Sequence, residues 1–297
     1  MKQLAVISGK GGTGKTSLTG AFAALSPGAV FADCDVDAAN LHLLICDGQD
    51  LTRSEPFVSG VKAGVDPGLC TGCGWCETAC RFSAISMVEV EKPGGKPLAV
   101  VDGMSCEGCG VCFDGCPHGA VSLTDNRAGE LLVTPSRFGT LVHAVLEPGE
   151  GSSGKLVTKV RTMAGTIAEE NNADLIVIDG SPGIGCPVIA SLSGVDAVLI
   201  VTEPTVSGRS DLKRVLELCG HFELPAHVLI NKYDLSEDMA REIQNECHAQ
   251  EVPVLGMLKF DPVFGSALVA GKTVIEFDNG PTAREVRRLW SALRDLL

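Results

Sequence analysis

Ser8-Gly9-Lys10-Gly11-Gly12-Thr13-Gly14-Lys15-Thr16 decides how this chain folds. The apolar run Leu4-Ala5-Val6-Ile7 precedes it, and Ser17 to Leu25 reads as a helix after it. Gly9-x4-Gly14-Lys15-Thr16 between a strand and a helix fits a phosphate-binding loop. Gly9, Gly11, Gly12 and Gly14 let the loop turn its N–H groups inward as a nest for phosphate oxygens, with Thr13 and Ser17 completing the cradle. The helix aims its positive end at the same place. Lys15 is expected to reach the β- and γ-phosphates, and the Thr16 hydroxyl to ligate Mg2+.

Outward from the loop, Gly28-Ala29-Val30-Phe31-Ala32-Asp33 reads as a second strand ending in acid, followed by Asp35 and Asp37. Asp174-Leu175-Ile176-Val177-Ile178-Asp179 reads as a buried parallel strand, also ending in acid. Carboxylates after such strands lie where α/β folds bind ligands. Asp37 is expected to cap the next helix. Further apolar strands are expected at 195–202, at 227–230 ahead of Asn231-Lys232-Tyr233-Asp234, and at 253–261 ending in Asp261.

A second signal lies between the two acidic strand ends. Cys70-x2-Cys73-x2-Cys76-x3-Cys80 repeats 36 residues later as Cys106-x2-Cys109-x2-Cys112-x3-Cys116-Pro117. This is the run of a bacterial two-cluster ferredoxin, in which the fourth cysteine of each run ligates the other cluster. One [4Fe–4S] cluster is thereby assigned to Cys70, Cys73, Cys76 and Cys116, the other to Cys80, Cys106, Cys109 and Cys112. Zinc also uses paired C-x2-C, but two complete four-cysteine runs fit iron–sulfur better. Arg81 stands where Pro117 stands in the second run. Lys92 to Pro97 reads as a hairpin turn within the insert, and 149–154 as a turn before a helix from Lys155 to Glu170. His143 reads as a half-exposed strand residue, because the cysteines already fill all eight cluster positions.

The lysine early in the loop, Gly9-Lys10-Gly11-Gly12, resembles the deviant Walker A motif of the MinD/Mrp/ParA/nitrogenase iron protein class. The resemblance covers essentially the whole chain and implies an ATPase with a nucleotide-sandwich dimer, in which Lys10 reaches the partner's phosphates. Asp33-Cys34-Asp35 resembles switch I of that class. By that match Asp35 positions or activates the attacking water and Asp33 contacts Mg2+ through water. Asp179 to Cys186 resembles switch II, with Asp179 on Mg2+ through water and Gly183 beside the γ-phosphate. Cys186 has the offset from Asp179 of the cluster-ligating cysteine in the nitrogenase iron protein. Structural burial competes with a ligand role for it. Asn231 contacts the base by the same resemblance, with Lys232, Asp234 and Asp261 around it. Asn-Lys-x-Asp is also the guanine-reading motif, so GTP stays open beside ATP.

The formal net charge of −13 and the lack of a basic tract weigh against nucleic-acid binding. No signal peptide and no membrane span are apparent, so a cytoplasmic protein is expected. The C-terminal stretch puts Val286, Leu289, Trp290, Leu293 and Leu297 on one helical face. Packing on the sheet is favoured over the membrane contact with which MinD proteins end.

The expected fold is a doubly wound α/β domain with a mainly parallel sheet, residues 1–63 and 128–297, with a ferredoxin-like α+β insert at 64–127. The expected cofactors are ATP, Mg2+ and two [4Fe–4S] clusters. The expected partners are a twin or related ATPase subunit and a redox or iron–sulfur acceptor protein. The leading functional expectation is an ATPase whose nucleotide-driven dimer switch gates electron transfer. An Mrp-like iron–sulfur carrier and a MinD-like spatial regulator with redox-sensing clusters are the alternatives.

Overall fold

The computed structural model describes residues 1–48, 51–89, 95–151 and 153–297. Residues 92–94 of the expected hairpin turn and Ser152 of the 149–154 turn lie outside the described residues. In chain order the elements are β1 (Lys2–Ser8), α1 (Lys15–Ala24), β2 (Ala29–Asp33), α2 (Leu41–Ile45), β3 (Arg53–Val65), α3 (Trp75–Ala79), β4 (Ile85–Val88) and β5 (Leu98–Val101). Then come α4 (Val111–Asp114), β6 (Val121–Pro135), β7 (Gly139–Leu146), α5 (Gly154–Glu170), β8 (Leu175–Pro182), α6 (Cys186–Leu192), β9 (Ala197–Thr202), α7 (Val206–His221) and β10 (Ala226–Asn231). A 3-10 turn (Tyr233–Leu235), α8 (Glu237–Ala249), β11 (Val254–Leu258), α9 (Val263–Val269), α10 (Val274–Phe277) and α11 (Pro281–Arg294) complete the chain.

The chain divides into two compact units, one of residues 1–55, 131–145 and 152–297 and one of 56–130 and 146–151. These limits differ from those expected at 63 and 128. β3 and β6 are long strands, and each divides partway along its length. The nine-stranded sheet runs β11-β10-β9-β1-β8-β2-β7-β6-β3, and its pairings from β11 through to β7 are parallel. A parallel sheet must be covered on both faces, and burial follows that rule. Leu175 and Val177 of β8 share one apolar cluster with Leu4, Val6, Leu199 and Val201. Their alternating neighbours Ile176, Ile178, Ala5 and Ile7 are just as buried, and successive strand residues point to opposite faces.

α11 shows why this sequence makes a packed helix. Pro281 sits in the first turn, where its missing N–H costs nothing. Ala283, Val286, Leu289, Trp290 and Leu293 recur at helical spacing and are buried. Trp290 stacks on Phe22 of α1, ring centroids 4.9 Å apart. The apolar face that could have met a lipid surface is thus spent on the core. No helix among the described residues is long and apolar enough to cross a membrane.

The smaller unit contains the antiparallel pair β4–β5 and the short helices α3 and α4. Among its described residues are two small apolar clusters, Ala63, Ala84, Cys106 and Val121 in one and Cys76, Ile85 and Ala99 in the other; Phe57 is buried besides.

Candidate functional site

The phosphate loop lies between β1 and α1. Gly14 has φ +94°, and a Cβ there would come within 2.5 Å of Asn231 Nδ2, so the turn requires glycine. α1 begins at Lys15, whose side chain is 6% exposed. Its Nζ lies 2.9 Å from Asp179 Oδ1 and 3.4 Å from Asp35 Oδ2. Burial alone pulls the lysine pKa down, but Asp179 and Asp35 reverse this and leave it above its ordinary value. Asp179 also accepts from Thr16 Oγ1 at 2.7 Å and from Thr19 Oγ1 at 2.9 Å. Thr19 escaped sequence reasoning; its one signal is its place a helical turn after Lys15.

Asp33 and Asp179 are neighbours across the parallel β2–β8 pairing. Asp33 is fully buried and accepts from the backbone N–H groups of Asp35 and Leu41, each at 3.1 Å. Burial, then the charge of Asp179, pushes its pKa well above the ordinary carboxylate range. Asp35 is also raised, by burial first and against the pull of Lys15. The expected cap changes owner here. Asp37 is exposed, and it is Asp33 that accepts from Leu41 at the start of α2. The segments that follow β2 and end β8 are tied together: Ser181 Oγ donates to Cys34 O at 2.6 Å, and Cys34 N to Asp179 O at 2.8 Å. Gly183, at φ +95°, donates its N–H to Ser8 O at 2.9 Å.

Lys10 is held within its own chain. Its Nζ lies 2.6 Å from Glu203 Oε1 and 3.0 Å from Ser207 Oγ. Glu203 also meets Lys232 Nζ at 3.3 Å, and that amine donates to Gly12 O at 2.8 Å. Burial raises the Glu203 pKa, but hydrogen bonds from the two lysines outweigh it and hold the carboxyl below its ordinary range. Sequence reasoning did not single out Glu203 as a site residue.

Asn231 faces the loop, its Nδ2 donating to Thr13 O at 2.7 Å. A cavity of about 260 Å3 opens beside it, lined by Ser17, Asn231, Lys232, Phe260, Asp261 and Phe264 among others. The Asp261 carboxylate is engaged by Val263 N at 3.0 Å and by the Thr282 hydroxyl. Asp234 does not line this cavity; its Oδ1 accepts from Phe260 N at 2.6 Å.

In the smaller unit, Cys70, Cys73, Cys76 and Cys116 line one cavity. Cys80, Cys106, Cys109 and Cys112 line another. These are the two sets of four expected from the crossed ligation. The donor chemistry fits iron–sulfur clusters. Each cavity offers four thiols, and backbone N–H groups already point at sulfur: Ala120 at Cys116 (3.3 Å), Ala84 at Cys80 (3.4 Å) and Ala63 at Cys106 (3.5 Å). Gly108 has φ +63°, and a Cβ on it would strike the Val61 carbonyl oxygen.

Two further sequence expectations are corrected. His143 is 5% exposed, not half-exposed. Its Nε2 lies 3.0 Å from Thr134 Oγ1 and its ring stacks on His42 at 5.4 Å. Burial, then His42, lowers its pKa to about 4. Cys186 is exposed at the start of α6, so structural burial does not account for it.

The 4Fe-4S dicluster domain family matches residues 69–120. Two solved structures share the fold over 99% or more of the chain. One is the Pyrococcus furiosus cell division ATPase MinD, with a TM-score of 0.59 at 18% identity, covering 100% of this chain and 99% of that one. The other is the septum site-determining protein MinD of Pyrococcus horikoshii, complexed with Mg-ADP, with a TM-score of 0.58 at 18% identity, covering 99% and 96%. The chain thus has the MinD/ParA P-loop fold and carries a 4Fe-4S dicluster domain. Among curated proteins, the uncharacterized protein MJ0579 of Methanocaldococcus jannaschii is 27% identical over 80% of this chain and 82% of its own length. The uncharacterized protein MJ0578 of the same organism is 35% identical over 233 residues, 77% of this chain and 78% of its own length. At that identity and coverage, the chain belongs to the family of MJ0578.

Proposed function

We propose that this protein binds and hydrolyses ATP as a nucleotide-dependent dimer, and that this switch gates electron transfer through two [4Fe–4S] clusters. One observation carries the reading. A single chain holds a lysine–aspartate phosphate loop and two four-cysteine cavities, and the cysteines lie in sequence between Asp35 and Asp179.

Lys15 is oriented toward the loop by Asp179 and Asp35 and is the cation for the β- and γ-phosphates. Thr16 and Asp179, already 2.7 Å apart, are the pair that would hold Mg2+, Asp179 through water; Asp33 would add a second water-mediated contact. Arriving phosphates draw Lys15 off Asp179, and that exchange is felt along β8 into Gly183. Asp35 positions the attacking water; the chemistry asks mainly for positioning and charge stabilisation. Lys10 reaches the twin subunit's phosphates once released from Glu203. Asn231, Lys232 and Asp261 border the base pocket. Asp234 does not line that cavity and takes the Phe260 N–H on its Oδ1, which favours ATP over GTP. Cys70, Cys73, Cys76 and Cys116 would hold one cluster and Cys80, Cys106, Cys109 and Cys112 the other. The clusters supply one-electron storage, and a redox protein is the expected partner.

A second reading, an iron–sulfur carrier, is favoured by one observation, the exposed Cys186. Anaerobic steady-state assays test both. ATP hydrolysis should fall about a hundredfold or more in Lys15→Ala and lose its dependence on protein concentration in Lys10→Ala. GTP hydrolysis as fast as that of ATP would contradict the base assignment. Transfer of iron and sulfide to an apo-ferredoxin that disappears in Cys186→Ala would favour the carrier.

A further inference from the structure

The two halves of the cysteine repeat are offset by 36 residues, and the structure keeps that symmetry. Gly72 and Gly108 share positive φ (74° and 63°), as do Gly74 and Gly110 (73° and 80°) and Ser83 and Gly119 (52° and 61°). The walls of the two cavities do not keep it. Thr71 lines the cavity of Cys70, Cys73, Cys76 and Cys116, whereas its repeat mate Glu107 lines the cavity of Cys80, Cys106, Cys109 and Cys112. His118 lines the first and its mate Phe82 the second. Glu107 bears the only carboxylate among the described residues lining either cavity. Arg81 lines neither, its guanidinium resting over the Phe82 ring at 5.4 Å.

Reducing a cluster adds one negative charge to it and makes no bond, so a fixed anion nearby disfavours reduction. We propose that Glu107 makes the cluster held by Cys80, Cys106, Cys109 and Cys112 the lower-potential member of the pair. An electron that reaches that cluster then passes downhill to the cluster held by Cys70, Cys73, Cys76 and Cys116. Glu107 is a tuning residue, acting through the field at the cluster. The inference rests on the two-cluster reading above.

The test is an EPR-monitored redox titration of the anaerobically purified holoprotein, with iron and sulfide counted first. Fewer than eight irons per chain overturns the two-cluster reading itself. With eight irons, the parent should show two separated one-electron steps. Cys109→Ser, by changing the g values of one signal, identifies the lower step with the Glu107 cavity. Glu107→Gln should favour reduction in the lower step up to tenfold, equivalent to 59 mV for one electron, with the upper step unmoved. Thr71→Glu should lower the upper step by a similar factor, and it stands as the test if Glu107→Gln fails to assemble its cluster. The proposal is overturned if the altered signal belongs to the upper step, or if these variants leave their own steps unmoved.

Discussion

The two units of this protein reach stability by different routes. The larger one buries Leu4, Phe22, Phe31, Leu141, Leu199 and Trp290 in one continuous cluster. At about 25 cal/mol per Å2 of apolar area, such a core is self-sufficient. Among its described residues the smaller one buries Phe57 and two small patches rich in alanine and cysteine, whose largest members are Ile85 and Val121. Trp75, Phe82, Val111 and Phe113 remain exposed in it. A chain segment with so little to bury needs a staple, and the eight thiols lining two cavities would supply one by holding clusters. In one unit the site is built on the fold; in the other the fold is built on the site.

The largest predicted effect follows from that contrast. Removing iron with a chelator should abolish the fold of the smaller unit, so that amides between residues 63 and 123 lose hydrogen-exchange protection. β1, β8 and β9 should stay protected. Retained protection across both units would erase the distinction. Next, Trp290→Ala removes half of the stacked Phe22–Trp290 pair. It should cost the larger unit about 3–5 kcal/mol in urea unfolding, with iron content unchanged.

A smaller effect comes from pH. His143 is held neutral, with a folded pKa of about 4 against about 6.5 unfolded. The unfolded chain takes up the proton first as pH falls, so stability declines below 6.5 and continues down toward 4. Between pH 7 and pH 5 the loss is about 2 kcal/mol. His143→Gln should flatten that part of the pH profile; an unchanged profile would contradict the assignment. Smallest of all, Glu203→Gln loosens the partly exposed contacts to Lys10 and Lys232. It should change stability by less than about 1 kcal/mol, while altering how hydrolysis depends on protein concentration.

The contrast also explains what the sequence could reveal. The phosphate loop and the cysteine runs are local patterns whose spacing is their geometry, so both were legible, down to which four cysteines share a cavity. Glu203 was not, because its partner Lys10 lies 193 residues away and only the β1–β9 pairing brings the strand ends together. His143 was misread for a related reason. It was read as a half-exposed strand residue, but His42 of α2, about a hundred residues earlier in the chain, stacks on it. Asp37 was expected to cap α2, but the β2–β8 register buries Asp33 beside Asp179, where it accepts from Leu41, and leaves Asp37 exposed.

The central claim is that nucleotide governs the clusters, and one measurement addresses it. Cluster reduction by a limiting low-potential donor is followed by EPR in the anaerobic holoprotein, with Mg-ATP, with Mg-ADP and with neither. The account predicts that Mg-ATP shifts the reduction potential or the rate of at least one cluster, and that Lys10→Ala removes the shift while keeping both clusters. Identical potentials and rates under all three conditions, in a protein that hydrolyses ATP, would contradict it.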